Sequence, residues 1–304
     1  MVLISTACGI CATPDPYLFR GFQLGEFRLW RCRECGIGFI TPKPTPEELT
    51  NYYGGAYRPP RRRPGEDRAA AAFVARLLQG AGLPSRTVLD FGAGWGALGR
   101  ELQAQGYAVS GLEVAEEDRA LANRNGIPTV RDLSELPSQA FGAVLARHVI
   151  EHLSDPLETL RQLRRVVQPG GVILIGVPNF GSVASRVLRG AWEWFAPPAH
   201  LWYFDRAGMA GLLVRAGFDP IRALSTQGDG APLPLAVAAA PGRWMLRRRA
   251  RPGYWRGTPA DSGESSEHQA RSALVAGYVS LMRLVKRAWP WGDEELWTAA
   301  RVSR

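Results

Sequence analysis

The sequence predicts an α/β protein built on a largely parallel sheet, with a small cysteine-bearing unit ahead of it. Three observations carry this. Residues 88–96 read as a buried strand closing on an acid, then a glycine-rich turn, then a helix start near Ala97. Further apolar runs follow, several ending on a charged residue and alternating with helical patterns. All four cysteines fall within the first 35 residues, as two C-x-x-C pairs.

The turn in the run Asp90-Phe91-Gly92-Ala93-Gly94-Trp95-Gly96 places three glycines where the chain must bend sharply and let a ligand approach. The helix behind it directs N–H groups into the turn. Gly92, Gly94 and Ala97 also satisfy the G-x-G-x-x-A form of the dinucleotide fingerprint. Asp90, two residues before the first glycine, opposes a pyrophosphate and suits a ligand with a cationic amino group.

The remaining elements follow in order. A second strand, Tyr107 to Leu112, ends at Glu113, 23 residues after Asp90, where an acid can hydrogen-bond ribose hydroxyls. A third, Ile127 to Val130, runs into Arg131-Asp132-Leu133. A fourth, Phe141 to Ala146, runs into Arg147-His148-Val149-Ile150-Glu151-His152. Leu157, Leu160, Leu163 and Val167 at helical spacing predict a helix from Pro156 to Val167, stopped by Pro169-Gly170-Gly171, with a fifth strand over Val172 to Val177. A helix from Arg206 to Ala216, ended by Gly217, turns Met209, Leu212, Leu213 and Ala216 inward and leads to a sixth strand, Phe218 to Leu224.

The glycine run, Glu113, and the stretches FGAVLARHVIEHLSDP, LRRVVQPGGVILIGVPN and HLWYFDRAGMAGLLVRAGF together resemble class I S-adenosylmethionine (SAM)-dependent methyltransferases, over residues 50–230 and the last dozen. The resemblance implies a Rossmann-like seven-stranded sheet of order 3-2-1-4-5-7-6, with strand 7 antiparallel and supplied here by residues 292–302. It implies that Asp90, Gly92, Ala93, Gly94 and Gly96 meet the methionine part of SAM. Glu113 with Val114 would meet the ribose, and Asp132 with Leu133 the adenine; Arg147 joins them on the cofactor side. Gly142 departs from the family, which often has Asp at the start of the fourth strand.

Composition limits the alternatives. At 304 residues the chain supports one large domain and a small one. No run approaches the ~18 apolar residues of a membrane span, and the first residues lack the basic and long apolar regions of a signal peptide, so a cytoplasmic location is expected. The net charge of +9 raises nucleic acid as a partner. Yet the charge clusters in residues 58–68, 243–256 and 283–287, outside the cofactor core, and no target-base motif such as Asn-Pro-Pro-Tyr occurs. An RNA methyltransferase and a non-catalytic SAM-binding protein remain the rival readings; a small-molecule acceptor is the expected partner.

Cys8, Cys11, Cys32 and Cys35 form two knuckles with 20 residues between them, a spacing suited to four thiolates on one structural Zn²⁺. The region resembles the zinc-ribbon segment ahead of some bacterial methyltransferases of natural-product and cell-surface sugar pathways. In such relatives the following segment folds over the cofactor, which makes Tyr57 a candidate SAM contact. Thr45 and Glu48 have capping-box spacing for a helix start, and residues 58–67 read as a linker.

Methyl transfer needs alignment and often a base, for which histidine is best suited. His148 and His152 are four residues apart, the spacing of two metal ligands on a helix. Glu151 then points elsewhere on that helix, so a metal is not expected; His148 lines the site and His152 braces the loop. His200 lies in an aromatic stretch, residues 192–204, where relatives place a substrate-covering segment, often with a matching histidine. It is the leading candidate base, with Tyr203 second.

The domain reading is a ribbon over 1–45, a helical cap and linker over 46–68, the SAM domain over 69–231 and 292–304, and an insertion over 232–291. The insertion interleaves arginines with tryptophans and includes an amphipathic helix from Ser272 to Trp289. Such a segment suits self-association or peripheral contact with an anionic membrane.

Overall fold

The structure, a computed structural model, describes residues 7–52, 64–226 and 294–303. An antiparallel meander comes first: β1 (Pro16–Leu24), β2 (Phe27–Cys32) and β3 (Gly38–Thr41). A short helix, α1 (Pro46–Asn51), follows and carries the expected capping box, with the Thr45 hydroxyl accepting from Glu48 N and the Glu48 carboxylate accepting from Thr45 N. Helix α2 (Pro64–Gly80) begins inside the stretch read as linker, because its Ala-rich sequence sustains helix back to Pro64, a residue favoured at a first helical turn.

The αβ layers then alternate: β4 (Thr87–Phe91), α3 (Ala97–Gln103), β5 (Ala108–Leu112), α4 (Glu116–Arg124), β6 (Thr129–Val130), β7 (Phe141–Arg147), α5 (Pro156–Val166) and β8 (Val167–Pro178). Strand β8 begins earlier than Val172, since the chain enters the sheet at Val167 directly from α5 and passes Pro169-Gly170-Gly171 as part of the strand. Helix α6 (Val183–Leu188), β9 (Trp202–Tyr203), α7 (Arg206–Arg215), β10 (Phe218–Thr226) and β11 (Glu295–Val302) complete the described chain.

The large sheet has the order β6-β5-β4-β7-β8-β11-β10, parallel except for β11, which runs antiparallel to both its neighbours. This is the predicted order and the predicted reversed strand. Alternating residues on the central strands feed two cores. Ala143 and Leu145 face Val74, Leu78 and Leu102 on one side, while Val144 and Ala146 belong with Leu160, Leu163 and Leu212 on the other. Asp155 caps α5 through Glu158 N, and Asp205 caps α7 through Gly208 N. Gly142 has a steric cause: a Cβ there would lie 2.3 Å from the Ser85 carbonyl oxygen, leaving no room for the family's Asp.

The N-terminal unit is not a separate ribbon. Its sheet has the order β1-β2-β3-β9, so its fourth strand comes from Trp202 and Tyr203, far along the chain. Leu29, Ile37 and Ile40 share one buried cluster with Trp202, Phe204 and the large sheet's second face. Arg31 also reaches the α7 cap, with its Nη2 2.6 Å from Asp205 Oδ2. The small unit is thereby built onto the segment that follows the fifth parallel strand.

Candidate active site

The carboxyl end of β4 delivers Asp90 and the glycine turn. Gly92 has φ +83, and a Cβ on it would sit 2.4 Å from Val149 Cγ2, so this position requires glycine twice over. Gly96, at φ +82, caps α3 in a left-handed conformation. The N–H groups of Gly92 and Ala93 bond to the Leu112 carbonyl, which fastens the turn to the end of β5. Glu113, one residue on, closes the arrangement: its Oε2 accepts from Gly94 N and its Oε1 from Ala115 N, both at 2.9 Å.

Asp90 is 3% exposed. Burial pushes its carboxyl up to about 7; the charge of Glu113 adds to this and Arg147 opposes it. A buried acid that resists ionisation is a poor neighbour for an anion and a good one for a cationic group. Val114 is exposed beside Glu113, and Leu133 is buried. Asp132 caps a single 3-10 turn, where its carboxylate accepts from Ser134 N at 2.8 Å. That contact holds its pKa below the usual carboxylate range.

Beyond β7 lies a second group of titratable side chains. Residues 150–152 form one turn of 3-10 helix rather than an α-helix. The expectation that Glu151 points away from the histidines is therefore corrected. Its carboxylate is 1% exposed, with Oε1 3.3 Å from His148 Nδ1 and 3.8 Å from His152 Nε2. His148, at φ +52, also places Nε2 3.0 Å from Glu295 Oε1, and the same oxygen receives Arg147 Nε at 3.2 Å. Burial alone would lower the His148 pKa, but the two carboxylates outweigh it and raise it to about 9. Glu151 and Glu295 are correspondingly held below the usual carboxylate range, against their own burial.

The segment between α6 and β9 brings His200 and Trp194 to this group. His200 is 7% exposed, and its Nδ1 donates to the Trp194 carbonyl at 2.8 Å. Its ring meets that of His152 edge to face, with centroids 4.7 Å apart. Burial pulls the His200 pKa down to about 3, with the nearby His152 adding to the effect. His152 is also lowered by burial, and its Nδ1 donates to the Ala199 carbonyl at 2.9 Å, bracing the loop. The Trp194 indole lies nearly parallel to His148 and to His200. Tyr203 is buried and its hydroxyl donates to the His200 carbonyl oxygen, so it supports His200 through the backbone.

Backbone bonds lock this segment in place. Leu201 N donates to the Glu151 carbonyl at 2.8 Å, and the Leu201 carbonyl accepts from Ile40 N at 3.2 Å. One residue thus joins the turn after β7 to the strand β3 of the N-terminal unit. In that unit the four cysteine sulfurs lie within 4.8 Å of one another, with Cys8 3.6 Å from Cys35 and Cys11 3.4 Å from Cys32. Each knuckle turns through a residue of positive φ just after its second cysteine, Ala12 and Gly36.

The structure brings Asp90, the glycines, Glu113 and Arg147 to one end of the sheet, and gathers His148, Glu151, His152 and His200 next to them. Tyr57, and the whole 232–291 segment, lie outside the described residues. Sequence reasoning missed Glu295 and Trp194. Glu295 lies 148 positions from its partner Arg147, and its only local signal was a place at the start of the last strand. Among the described residues no helix is long and apolar enough to cross a membrane.

Residues 61–223 match the family described as Methyltransferase domain. Curated relatives include proteins named ubiquinone biosynthesis O-methyltransferase. That of Hahella chejuensis is 27% identical over 145 residues, covering 40% of this chain and 61% of that protein. That of Chromobacterium violaceum is 27% identical over 175 residues, covering 49% and 75%. The chain spans between 47% and 61% of the length of three of these relatives. A solved structure of Burkholderia thailandensis 1,6-didemethyltoxoflavin-N1-methyltransferase, with bound 1,6-didemethyltoxoflavin and S-adenosylhomocysteine, superimposes with a TM-score of 0.50. Its sequence identity is 19%, and the match covers 95% of this chain and all of that one. At that identity the likeness is one of fold.

Proposed function

The chain belongs to the methyltransferase-domain family, and we propose that it transfers the methyl group of S-adenosylmethionine to a small-molecule or sugar-like acceptor, on oxygen, carbon or nitrogen. The glycine turn flanked by Asp90 and Glu113 is the observation that supports this most directly. Its close backbone at Gly92, a buried acid that favours a cation and a second acid at the end of the next strand suit the amino group and ribose of that cofactor. In this reading Asp90, Gly92, Ala93, Gly94 and Gly96 hold the methionine part. Glu113 and Val114 hold the ribose, Asp132 and Leu133 lie toward the adenine, and Arg147 sets the local charge. The cofactor supplies an electrophilic methyl group; the chain supplies alignment and exclusion of water.

A small acceptor is supported by the relatives' names, ubiquinone biosynthesis O-methyltransferase and 1,6-didemethyltoxoflavin-N1-methyltransferase. Trp192 and Phe195 pack on Tyr203, and Tyr203 on His200, a buried aromatic wall that backs the His200 segment from behind. His200 begins as a neutral imidazole, because its Nδ1–H is spent on a carbonyl and burial opposes protonation. Its Nε2 lone pair is the acceptor-side group in this proposal. A pKa near 3 makes that nitrogen a weak base by itself.

The four cysteines fit a structural Zn²⁺. Four sulfurs within one ion's reach, from two knuckles, form the closed donor set that this metal takes. The ion would brace the N-terminal sheet, and with it β9 and the aromatic wall.

Calorimetric titration with S-adenosylhomocysteine tests the central proposal. Micromolar binding by the wild type, abolished by Asp90→Ala, is the expected result; no binding by folded, zinc-replete protein overturns it. For the acceptor side, His200→Ala is expected to lower turnover with little change in cofactor affinity.

A further inference from the structure

We infer that Glu151, His152 and His200 form a second metal site, one that takes a divalent transition-metal ion of the zinc class. Each of the three offers a ligand atom, and these atoms lie within 4.8 Å of one another, with Glu151 and His200 buried and His152 partly exposed. Two imidazoles and one carboxylate are a borderline nitrogen and oxygen donor set, which selects such ions over calcium or magnesium.

Two further observations point to a cation. Glu151 Oε2 is buried and has no hydrogen-bond partner, although its residue is only 1% exposed. A buried carboxylate oxygen left without a donor is costly, and a coordinated ion removes that cost. Both histidines also donate Nδ1–H to a backbone carbonyl, His152 to Ala199 and His200 to Trp194. That pairing fixes the tautomer that keeps the lone pair on Nε2, and it is the outer-shell pattern by which proteins aim imidazoles at metals. His152 Nε2 does face Glu151, at 3.8 Å from Oε1.

His148 Nδ1 lies 3.3 Å from Glu151 Oε1 and its Nε2 3.0 Å from Glu295 Oε1, which also pairs with Arg147, so the other oxygen of Glu151 is left to the site. Three protein ligands leave a coordination position for a small ligand, as in catalytic rather than structural zinc sites. The ion ties the segment at His200 to the turn after β7. A lone pair given to an ion cannot also take a proton, so an ion held there would supply Lewis-acid polarisation of the acceptor in place of the free imidazole, with His200 positioning it. This last step rests on the methyl-transfer proposal; the metal site itself does not.

Metal content of the purified full-length protein tests the site without any activity measurement. Protein equilibrated with Zn²⁺ and freed of loose ions should carry two per chain. A thiol-specific mercurial should release one ion, the cysteine-bound one, and leave the second until a strong chelator is added. Replacement by Co²⁺ should add weak visible bands of nitrogen and oxygen ligation to those of the thiolate site. Glu151→Gln should reduce the content to one per chain with the thiolate bands intact. A wild-type content of one ion, all of it released by the mercurial, overturns the proposal, as does an unchanged content of two in a folded Glu151→Gln protein. Failure to bind S-adenosylhomocysteine would leave the metal count unaffected, so the two proposals fail separately.

Discussion

His148 Nε2 lies 3.0 Å from Glu295 Oε1, joining the turn after β7 to the first residue of the antiparallel strand β11. With Glu151 on its other nitrogen, the ring is an imidazolium between two buried carboxylates. Its pKa of about 9 stands above the ordinary 6.5. The charged form therefore stabilises the fold fully below about pH 6.5, and that contribution, about 3 kcal/mol, is lost as pH rises through 9. Denaturant midpoints measured from pH 6.5 to 9.5 should fall. His148→Gln should flatten this dependence and lower stability at neutral pH by about 3 kcal/mol, since it removes the cation shared by Glu151 and Glu295 and leaves only Arg147 beside Glu295.

Asp90 predicts a pH dependence of binding. Its carboxyl is raised to about 7, so much of it is protonated at neutral pH in the free protein. A cationic amino group favours the ionised form, and its binding expels the proton. Affinity for S-adenosylhomocysteine should increase as pH rises from 6 to 8. Calorimetry in buffers of different ionisation enthalpy should show proton release below pH 7. Asp90→Asn should weaken binding and remove the proton release.

Gly142 offers a steric test. A Cβ there would meet the Ser85 carbonyl oxygen at 2.3 Å, and that oxygen belongs to backbone. Gly142→Ala should cost about 3 kcal/mol through overpacking and displacement of the β4 entry. Thermal denaturation would show the loss, and a neutral effect would mean that this corner is looser than described.

The shared strand β9 predicts how loss of the cysteine cluster spreads. Phe39 pairs with Trp202 and Gly38 with Tyr203, so disordering the N-terminal sheet releases the aromatic wall. Cys32→Ser with Cys35→Ser should remove the cysteine-bound zinc and lower acceptor turnover while S-adenosylhomocysteine affinity stays within a few-fold of wild type. Equal loss of both would place the damage in the large sheet instead.

The sheet order and the glycine turn were legible because their signals are local: an apolar run, an acid and a glycine cluster fall within a few residues at each strand end. The cysteine spacing was equally local. The histidine cluster was not. Glu151 was misjudged because i, i+4 spacing suggested an α-helix, whereas a 3-10 turn of three residues redirects every side chain on it. His200 drew notice through its aromatic neighbours, but nothing near it indicated that its ring meets His152. Glu295 and the pairing of Trp202 with Phe39 depend on contacts across most of the chain, which no local pattern encodes. Gly142 looked like a departure from a family preference and proved to be a packing requirement of this chain.

The position of β11 has a consequence for biosynthesis. It fills the gap between β8 and β10, yet it is separated from β10 by residues 227–293. While a ribosome makes that intervening stretch, two finished strands wait with unpaired backbone edges. Glu295, which His148 and Arg147 both require, has not yet been made. A nascent chain at this stage carries its glycine turn and its histidines but presents sticky strand edges to its surroundings. The demand for chaperone protection should therefore peak while residues 227–293 are being made and end abruptly with β11, when one strand both seals the sheet and neutralises the buried imidazolium.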